Sequence, residues 1–241
     1  MLIKEILNHT KHRPWPIPSS PWAYYQEWNR AIFLHWEVDL DELRKLVPEE
    51  LEIDLIDGKP WVSLVAFTME NIRPKHFPSF PPISTFDEIN IRTYVRSSGI
   101  TGVHFLSIEA GNKLSCMMAE AMSELPYRFS KMSRTESQFE SVNSKYGDSF
   151  FTNFQLGEEQ KKKTALDKWL TERYALFQDG SSGINKFEIH HLEWPIKNIL
   201  LENLNYDYSR FNQLFSGLPD KIQYSEGVKV IAWGKEKLIT P

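Results

Sequence analysis

Hydrophobic and polar residues alternate with a period of two along several stretches of the chain. The alternation is clear at residues 51–55 and 89–95, and this period is typical of half-buried β-strands. The largely apolar run at residues 31–36 predicts a buried strand. Further strands are predicted at residues 61–69, 102–110, 128–137, 138–145, 150–156, 173–178, 184–194 and 228–233.

Helical spacing of apolar residues is confined to short segments. Asn112 can cap a helix over residues 113–124, and Thr164 with Asp167 resembles the start of a helix over Ala165–Thr171. A third helix is predicted near residues 205–216, where Gly217 follows it. Many short strands with about three short helices indicate a mainly β (α+β) protein with an antiparallel barrel or sandwich.

The pattern of prolines marks the irregular parts of one domain. Residues 1–29 carry four prolines and predict irregular structure, and residues 74–86 carry four more and predict an extended loop. No shift in composition divides the chain. We therefore expect a single domain over residues 1–241, with residues 1–21 as an irregular N-terminal arm.

The charge and the cysteine content of the chain limit the classes of binding partner and the compartment that we expect. The net charge of −4 over 241 residues gives no broad field for nucleic acid. No apolar run approaches the roughly 20 residues that span a bilayer. The single cysteine, Cys116, excludes an intramolecular disulfide and indicates a reducing compartment. The sequence thus predicts a cytoplasmic protein that binds neither nucleic acid nor membrane.

Common catalytic motifs are absent. The chain has no phosphate-binding loop, no dinucleotide fingerprint, no nucleophile elbow and no paired-cysteine or zinc-protease motif. His190 and His191 are neighbours on a predicted strand and point to opposite faces. We expect no cofactor and no metal, a buried and inert Cys116, and a hydrogen-bonded core histidine at His35.

One segment resembles the catalytic segment of acetoacetate decarboxylase. It runs from Ala119 to Arg128, and in that family two lysines follow the proline, one of which forms a Schiff base. Tyr127 and Arg128 stand in those places here. The resemblance also matches Arg30 to an active-site arginine and Glu88 to an active-site glutamate. A second glutamate would fall within residues 62–66, which contain none.

The sequence is more similar to the YqjF-like proteins, a group without known chemistry. The resemblance runs from about residue 22 to the C-terminus, and its strongest motifs are Leu34-His35-Trp36, Trp61–Val65, Asn90–Val95, Leu125–Arg128 and His191–Pro195. It implies an acetoacetate-decarboxylase-like fold, a closed β cone with a central pocket that is often oligomeric. A homodimer is therefore possible, and no reaction is implied.

The resemblance implies a site at which Glu88, Tyr127, Arg128 and Arg30 converge as the catalytic residues. Buried charges need partners, so Glu88 is expected to contact one of the two arginines. A net positive site of this kind suits a carboxylate or enolate. Ligand-binding residues are expected on the strand at residues 89–95, which follows Glu88. Asn90, Arg92 and Tyr94 share one face of this strand, although that face could also meet solvent.

Three functions stay open at this point. The first is binding of an apolar, aromatic or carboxylate-bearing small molecule without Schiff-base chemistry, which the aromatic content of 13% favours. The alternative is a lyase or isomerase acting on a small organic acid or carbonyl compound. In it Tyr127 or Glu88 would transfer a proton, while Arg30 and Arg128 would stabilise the anion. The third is a structural protein with a vestigial pocket.

Overall fold

The computed structural model describes residues 3–181 and 183–238. Its α-helices are α1 (Ile3–Asn8), α2 (Leu40–Arg44), α3 (Pro81–Ser84), α4 (Lys113–Ser123) and α5 (Ala165–Thr171). Its strands are β1 (Tyr24–Glu37), β2 (Glu52–Ile53), β3 (Trp61–Pro74), β4 (Phe86–Ser97), β5 (Ile100–Ala110), β6 (Tyr127–Phe129), β7 (Lys131–Arg134), β8 (Gln138–Asn143), β9 (Asp148–Glu159), β10 (Ala175–Gly180), β11 (Gly183–His190), β12 (Ile196–Asp207), β13 (Lys221–Ala232) and β14 (Glu236–Lys237). The fold is mainly β, as the sequence predicts.

The strands form one sheet in which a path of hydrogen-bonded neighbours returns to its start. The path runs β13-β1-β3-β4-β5-β10-β11. Strand β11 then pairs with β13 through Ile189–Ala232 and His190–Ile231. Strands β12, β9, β8 and β7 continue the sheet from the other edge of β13. Most pairs are antiparallel, while β5 pairs with β10 and with β6 in parallel.

Both faces of the central strands are buried, which explains the run of apolar residues in β1. Glu88, Asn90 and Arg92 of β4 define what we call the inner face, together with Phe33 of β1 and Phe67 of β3. Ile89 and Ile91 define the outer face. Phe139, Phe150 and Phe154 of β8 and β9 belong to the same apolar cluster as this outer face. The continuation of the sheet therefore covers the outer face of the ring.

The predicted helix at residues 205–216 is wrong. Strand β12 extends to Asp207, and only the short 3-10 helix Ser209–Phe211 follows. The apolar residues of this segment are buried at intervals of three or four, so their spacing mimics that of a helix face: Tyr208, Phe211, Leu214 and Phe215.

The described part of the chain has five α-helices rather than about three. One of them, α1, lies in the N-terminal arm that we expected to be irregular, and its Ile6 is fully buried. Arg13 of the same arm is buried in an ion pair with Glu188. Strand β1 begins at Tyr24, inside the segment predicted to be irregular. The loop at 74–86 contains α3, and the strand predicted at 128–137 is divided into β6 and β7.

Residues 1, 2, 182 and 239–241 of the predicted single domain lie outside the described residues. Within the described part of the chain, no helix has the length and hydrophobicity needed to cross a membrane.

Candidate functional site

The centre of the candidate site is a hydrogen bond between two residues far apart in sequence. Glu88 lies near the start of β4, beside Ala110 of β5, and Tyr127 begins β6, beside Ile108 of β5. Helix α4 ends at Ser123, and its C-cap residue Glu124 has a left-handed backbone conformation (φ 60). This conformation turns the chain into β6. The Tyr127 hydroxyl donates to Glu88 Oε2 at 2.9 Å. Glu88 and Tyr127 are two of the four residues that the resemblance implies at one site.

Burial controls the protonation of this pair. Glu88 is only 2% exposed, and burial raises the pKa of its carboxyl from 4.5 to about 7, although hydrogen bonds from Tyr127 and Asn90 oppose the rise. Burial and the neighbouring Glu88 charge raise the pKa of Tyr127 well above its usual value. Tyr127 therefore keeps its proton, and Glu88 titrates near neutral pH.

Arg92 supplies a buried positive charge on the same inner face. Its side chain donates to the Leu170 carbonyl at 3.4 Å and lies 5.9 Å from the centre of the Phe33 ring. Arg92 is 8% exposed. Within residues 3–181 and 183–238 it makes no ion pair, and its Nε has no hydrogen-bond partner. A buried cation of this kind is costly, since an unpaired charge loses its hydration.

Two more buried polar atoms near Arg92 have no hydrogen-bond partner in the described part of the chain. They are Asn90 Oδ1 and Trp61 Nε1. Asn90 Nδ2 donates to Glu88 Oε1 at 3.3 Å. Glu88, Asn90 and Arg92 alternate along β4 and therefore form one row, about 13 Å long at ~3.3 Å per residue. The row joins a titrating carboxyl at one end to a cation at the other.

Tyr94 is the next residue of this row, and its hydroxyl forms hydrogen bonds with other groups of the protein. It lies 2.6 Å from Ser63 Oγ and 2.9 Å from the Leu170 carbonyl. Ser63 Oγ in turn lies 2.6 Å from His35 Nδ1, and His35 Nε2 lies 3.1 Å from Gln223 Oε1. Burial and the Arg92 charge lower the pKa of His35 to about 3. His35 is thus the neutral, hydrogen-bonded core histidine that the sequence predicts.

Arg30 does not join Glu88, which corrects the prediction that they converge. Arg30 lies in a β-bulge of β1 with a left-handed backbone (φ 54), and 46% of its side chain is exposed. Its guanidinium donates to Thr68 Oγ1 at 3.0 Å and lies 3.6 Å from Glu70. Thr68 lies opposite Asp87 in the β3–β4 pair, so Arg30 is on the face opposite Glu88.

Arg128 is also separated from Glu88. It follows Tyr127 on β6 and therefore points to the other face of that strand. Its guanidinium lies 3.5 Å from Ser107 Oγ and 4.5 Å from the centre of the Tyr146 ring. Of the four predicted catalytic residues, the structure brings together only Glu88 and Tyr127.

The donors at the inner face do not resemble a metal site or a Schiff-base site. Among the described residues, no group of three or more His, Cys, Asp or Glu side chains is arranged to hold a metal ion. No lysine in this part of the chain contacts Glu88, Tyr127 or Arg92. Cys116 is buried nearby, and burial raises the pKa of its thiol to about 11. Cys116 is therefore a poor nucleophile at neutral pH.

The fold places the chain among the acetoacetate-decarboxylase-like structures. The acetoacetate decarboxylase of Legionella pneumophila (subsp. pneumophila, strain Philadelphia 1) superposes with a TM-score of 0.62 at 14% identity, with 98% of this chain and 95% of that chain covered. The enduracididine biosynthesis enzyme MppR, complexed with pyruvate, gives a TM-score of 0.57 at 12% identity, with 92% of each chain covered.

The chain belongs to the DUF2071 family, described as an uncharacterized conserved protein, whose model matches residues 25–229. It is 33% identical over 190 residues to the uncharacterized protein YqjF of Bacillus subtilis (strain 168). The aligned region covers 76% of this chain and 78% of that protein. The predicted resemblance to YqjF-like proteins is confirmed.

Sequence reasoning missed the residues around Arg128. Tyr146 and Arg210 come from a turn and a 3-10 helix that carry no motif, yet both lie beside Arg128. The tertiary structure brings Tyr146 from the β8–β9 turn and Arg210 from the segment after β12 to Arg128.

Proposed function

We propose that the protein binds a small carboxylate-bearing molecule at the inner face, without Schiff-base chemistry. The observation that carries this proposal is Arg92, a buried guanidinium with no carboxylate partner in the described part of the chain. Arginine matches a carboxylate with a fork of two donors. A bound carboxylate would supply the missing negative charge. The rings of Phe33 and Phe67 would contact the apolar part of the ligand.

The charges near Arg92 support an anionic ligand. His35 is neutral, and Arg173, whose pKa is lowered by burial and by Arg92, already has Asp54 as its partner at 2.7 Å. Asp167 likewise has Lys221 at 2.6 Å. Arg92 therefore remains as the excess charge. The similar fold of MppR, whose complex holds pyruvate, is consistent with a ligand of the 2-oxo acid class.

We also infer that the strand ring closes into a cone around this site, which the β11–β13 pairing supports. A cytoplasmic location and a homodimer stay proposals as well. The exposed Leu114, Met117 and Met118 on α4 support self-association.

Arg92→Met is expected to weaken binding of pyruvate, used as the probe, without destabilising the fold. Charge-assisted hydrogen bonds to a carboxylate contribute about 1.5–3 kcal/mol, so the dissociation constant is expected to rise by roughly 10- to 150-fold. Removal of an unpaired buried cation is expected to leave the melting temperature unchanged or higher. Calorimetric titration and thermal unfolding measure the two effects.

The matched control is Arg30→Met, because Arg30 is a surface arginine on the opposite face. It is expected to bind pyruvate as the unmodified protein does. Equal affinity of the Arg92 variant and the unmodified protein would contradict the proposed site.

A second candidate function is proton transfer on the bound molecule. The observation that favours it is the Glu88–Tyr127 pair, since a carboxyl whose pKa is about 7 is suited to act as a general base near neutral pH. Glu88 would remove a proton from the carbon next to a carbonyl group, and the Tyr127 hydroxyl would donate a hydrogen bond to the enolate oxygen. Arg92 would hold the carboxylate of the same molecule.

This second function predicts exchange of the methyl protons of pyruvate in deuterated water. The exchange rate measured by NMR is expected to fall by at least about 100-fold in Glu88→Gln, a loss typical for removal of a general base. Exchange that is no faster with the protein than in buffer would leave only the binding function.

Borohydride treatment in the presence of pyruvate separates this mechanism from an imine mechanism. We expect no covalent adduct by mass spectrometry, because no described lysine contacts the inner-face residues. A stoichiometric adduct on a lysine would show that the protein has retained Schiff-base chemistry.

A further inference from the structure

A cleft lies beside β6, at Arg128 and the β8–β9 turn. It has a volume of 310 Å³ and is formed by β6, the start of β7 and the β8–β9 turn. Its lining residues are Tyr127, Arg128, Phe129, Lys131, Val142, Asn143, Ser144, Lys145 and Tyr146. This lining contains three cationic side chains and no carboxylate, although the chain as a whole has a net charge of −4.

The cations of this cleft have no ion-pair partners in the described part of the chain. Arg128 contacts Ser107 Oγ and the Tyr146 ring, and Lys145 Nζ lies 5.1 Å from the centre of the same ring. Lys131 and Lys145 are exposed at the rim. The cleft lining offers these cations only aromatic rings, hydroxyl groups and the Asn143 amide.

A further cation crowds Arg128. Arg210 Nη2 lies 3.3 Å from Ser107 Oγ, the atom that Arg128 also approaches, and Arg210 lies 5.5 Å from the centre of the Tyr146 ring. Asp148 neutralises Arg210 at 2.8 Å. Burial and the Arg210 charge lower the pKa of Arg128. Repulsion between two guanidinium groups at one hydroxyl is relieved by an anion placed between Arg128 and the lysines.

The nearby carboxylates do not cancel this charge. Asp148 is paired with Arg210, and Glu109 accepts a hydrogen bond from Ser130 on the buried side of β5. Burial raises the pKa of Glu109. Arg128, Lys131 and Lys145 thus give the cleft an excess of positive charge. A doubly charged phosphate group matches this excess better than a single carboxylate.

We propose that this cleft binds the phosphate group of a small molecule, with Arg128 as the forked donor and Lys131 and Lys145 at the rim. The Tyr146 ring would contact the organic part of the ligand. Tyr127 borders both sites, but the cations differ: the inner face carries Arg92, and the cleft carries Arg128 and the two lysines. The two sites can therefore be tested separately.

The test is a titration with inorganic phosphate at constant ionic strength and pH 7.5, followed by ³¹P NMR. The unmodified protein is expected to bind phosphate saturably, and acetate at least about tenfold more weakly. Arg128→Gln and the double variant Lys131→Gln/Lys145→Gln are each expected to weaken phosphate binding by at least about tenfold, as loss of a charge-assisted contact implies. The lysines are exposed, so the double variant tests the site even if Arg128→Gln does not fold.

Two controls complete the design. Lys229→Gln removes an exposed lysine on β13, away from the cleft, and is expected to leave phosphate binding unchanged. Arg92→Met is also expected to leave it unchanged, so failure of the inner-face proposal does not affect this one. Non-saturable binding, equal affinity for acetate, or full binding by the double variant would each overturn the phosphate site. Loss of binding in Arg92→Met alone would assign phosphate to the inner face and overturn it as well.

Discussion

Glu88→Gln is expected to make the protein more stable at pH 8 and to change its stability little at pH 4.5. Burial raises the pKa of Glu88 from 4.5 to about 7, so the folded protein keeps this proton over a range in which the unfolded chain has released it. The contribution of Glu88 to stability is therefore complete below about pH 4.5 and is lost as the pH rises through about 7. At about 1.4 kcal/mol for each pH unit, the loss is roughly 3 kcal/mol.

Glutamine is suited to this position because it is neutral and has the same shape. Its amide oxygen can accept from Tyr127, and its amide nitrogen can donate to Asn90 Oδ1, which is otherwise unpartnered, if the Asn90 amide turns over. Urea denaturation at a series of pH values measures the difference between variant and unmodified protein. That difference is expected to grow by roughly 3 kcal/mol between pH 4.5 and pH 8.

The control for this prediction is Glu136→Gln, which changes an exposed carboxylate and is expected to leave the pH profile unchanged. A Glu88→Gln variant whose stability follows the same pH profile as the unmodified protein would show that Glu88 ionises normally. The structure reverses the expectation drawn from the sequence that Glu88 contacts one of the two arginines. Neither Arg30 nor Arg128 contacts it.

Asp54→Asn is expected to lower the free energy of unfolding by about 3–5 kcal/mol, because it leaves a buried arginine without its anion. Arg173 donates to Asp54 at 2.7 Å, and the two side chains are 5% and 7% exposed. The Arg173 guanidinium also lies 4.2 Å and 4.8 Å from the ring centres of Trp169 and Tyr94. These contacts hold Arg173 in place after the substitution, so it cannot reach water. Urea denaturation at pH 7 measures the loss.

Glu52→Gln provides the matched control two residues away. Glu52 lies 3.5 Å from Arg96 in an exposed ion pair, and exposed pairs contribute about 0–1 kcal/mol. The control is therefore expected to be almost as stable as the unmodified protein. Similar losses in both variants would show that Arg173 reaches solvent when its partner is removed.

Alternation and apolar runs along the chain predicted most of the strands, because a half-buried strand alternates and a strand buried on both faces is apolar throughout. The helix predicted at residues 205–216 failed because the buried residues of this turn-rich segment follow one another at helical intervals without forming a helix. The helix α1 was missed because a segment of six residues with one buried side chain carries almost no periodic signal.

By itself, the sequence determined the β class, the family and the loss of the catalytic lysines. The tertiary structure alone decided the electrostatics of the site. A bulge at Arg30 and the alternation of Tyr127 and Arg128 direct both predicted arginines away from Glu88. Arg92 is left as the unpaired buried charge. The pKa and the pairing of a charged side chain depend on its burial and on its neighbours from distant strands. The local pattern of residues specifies neither of them.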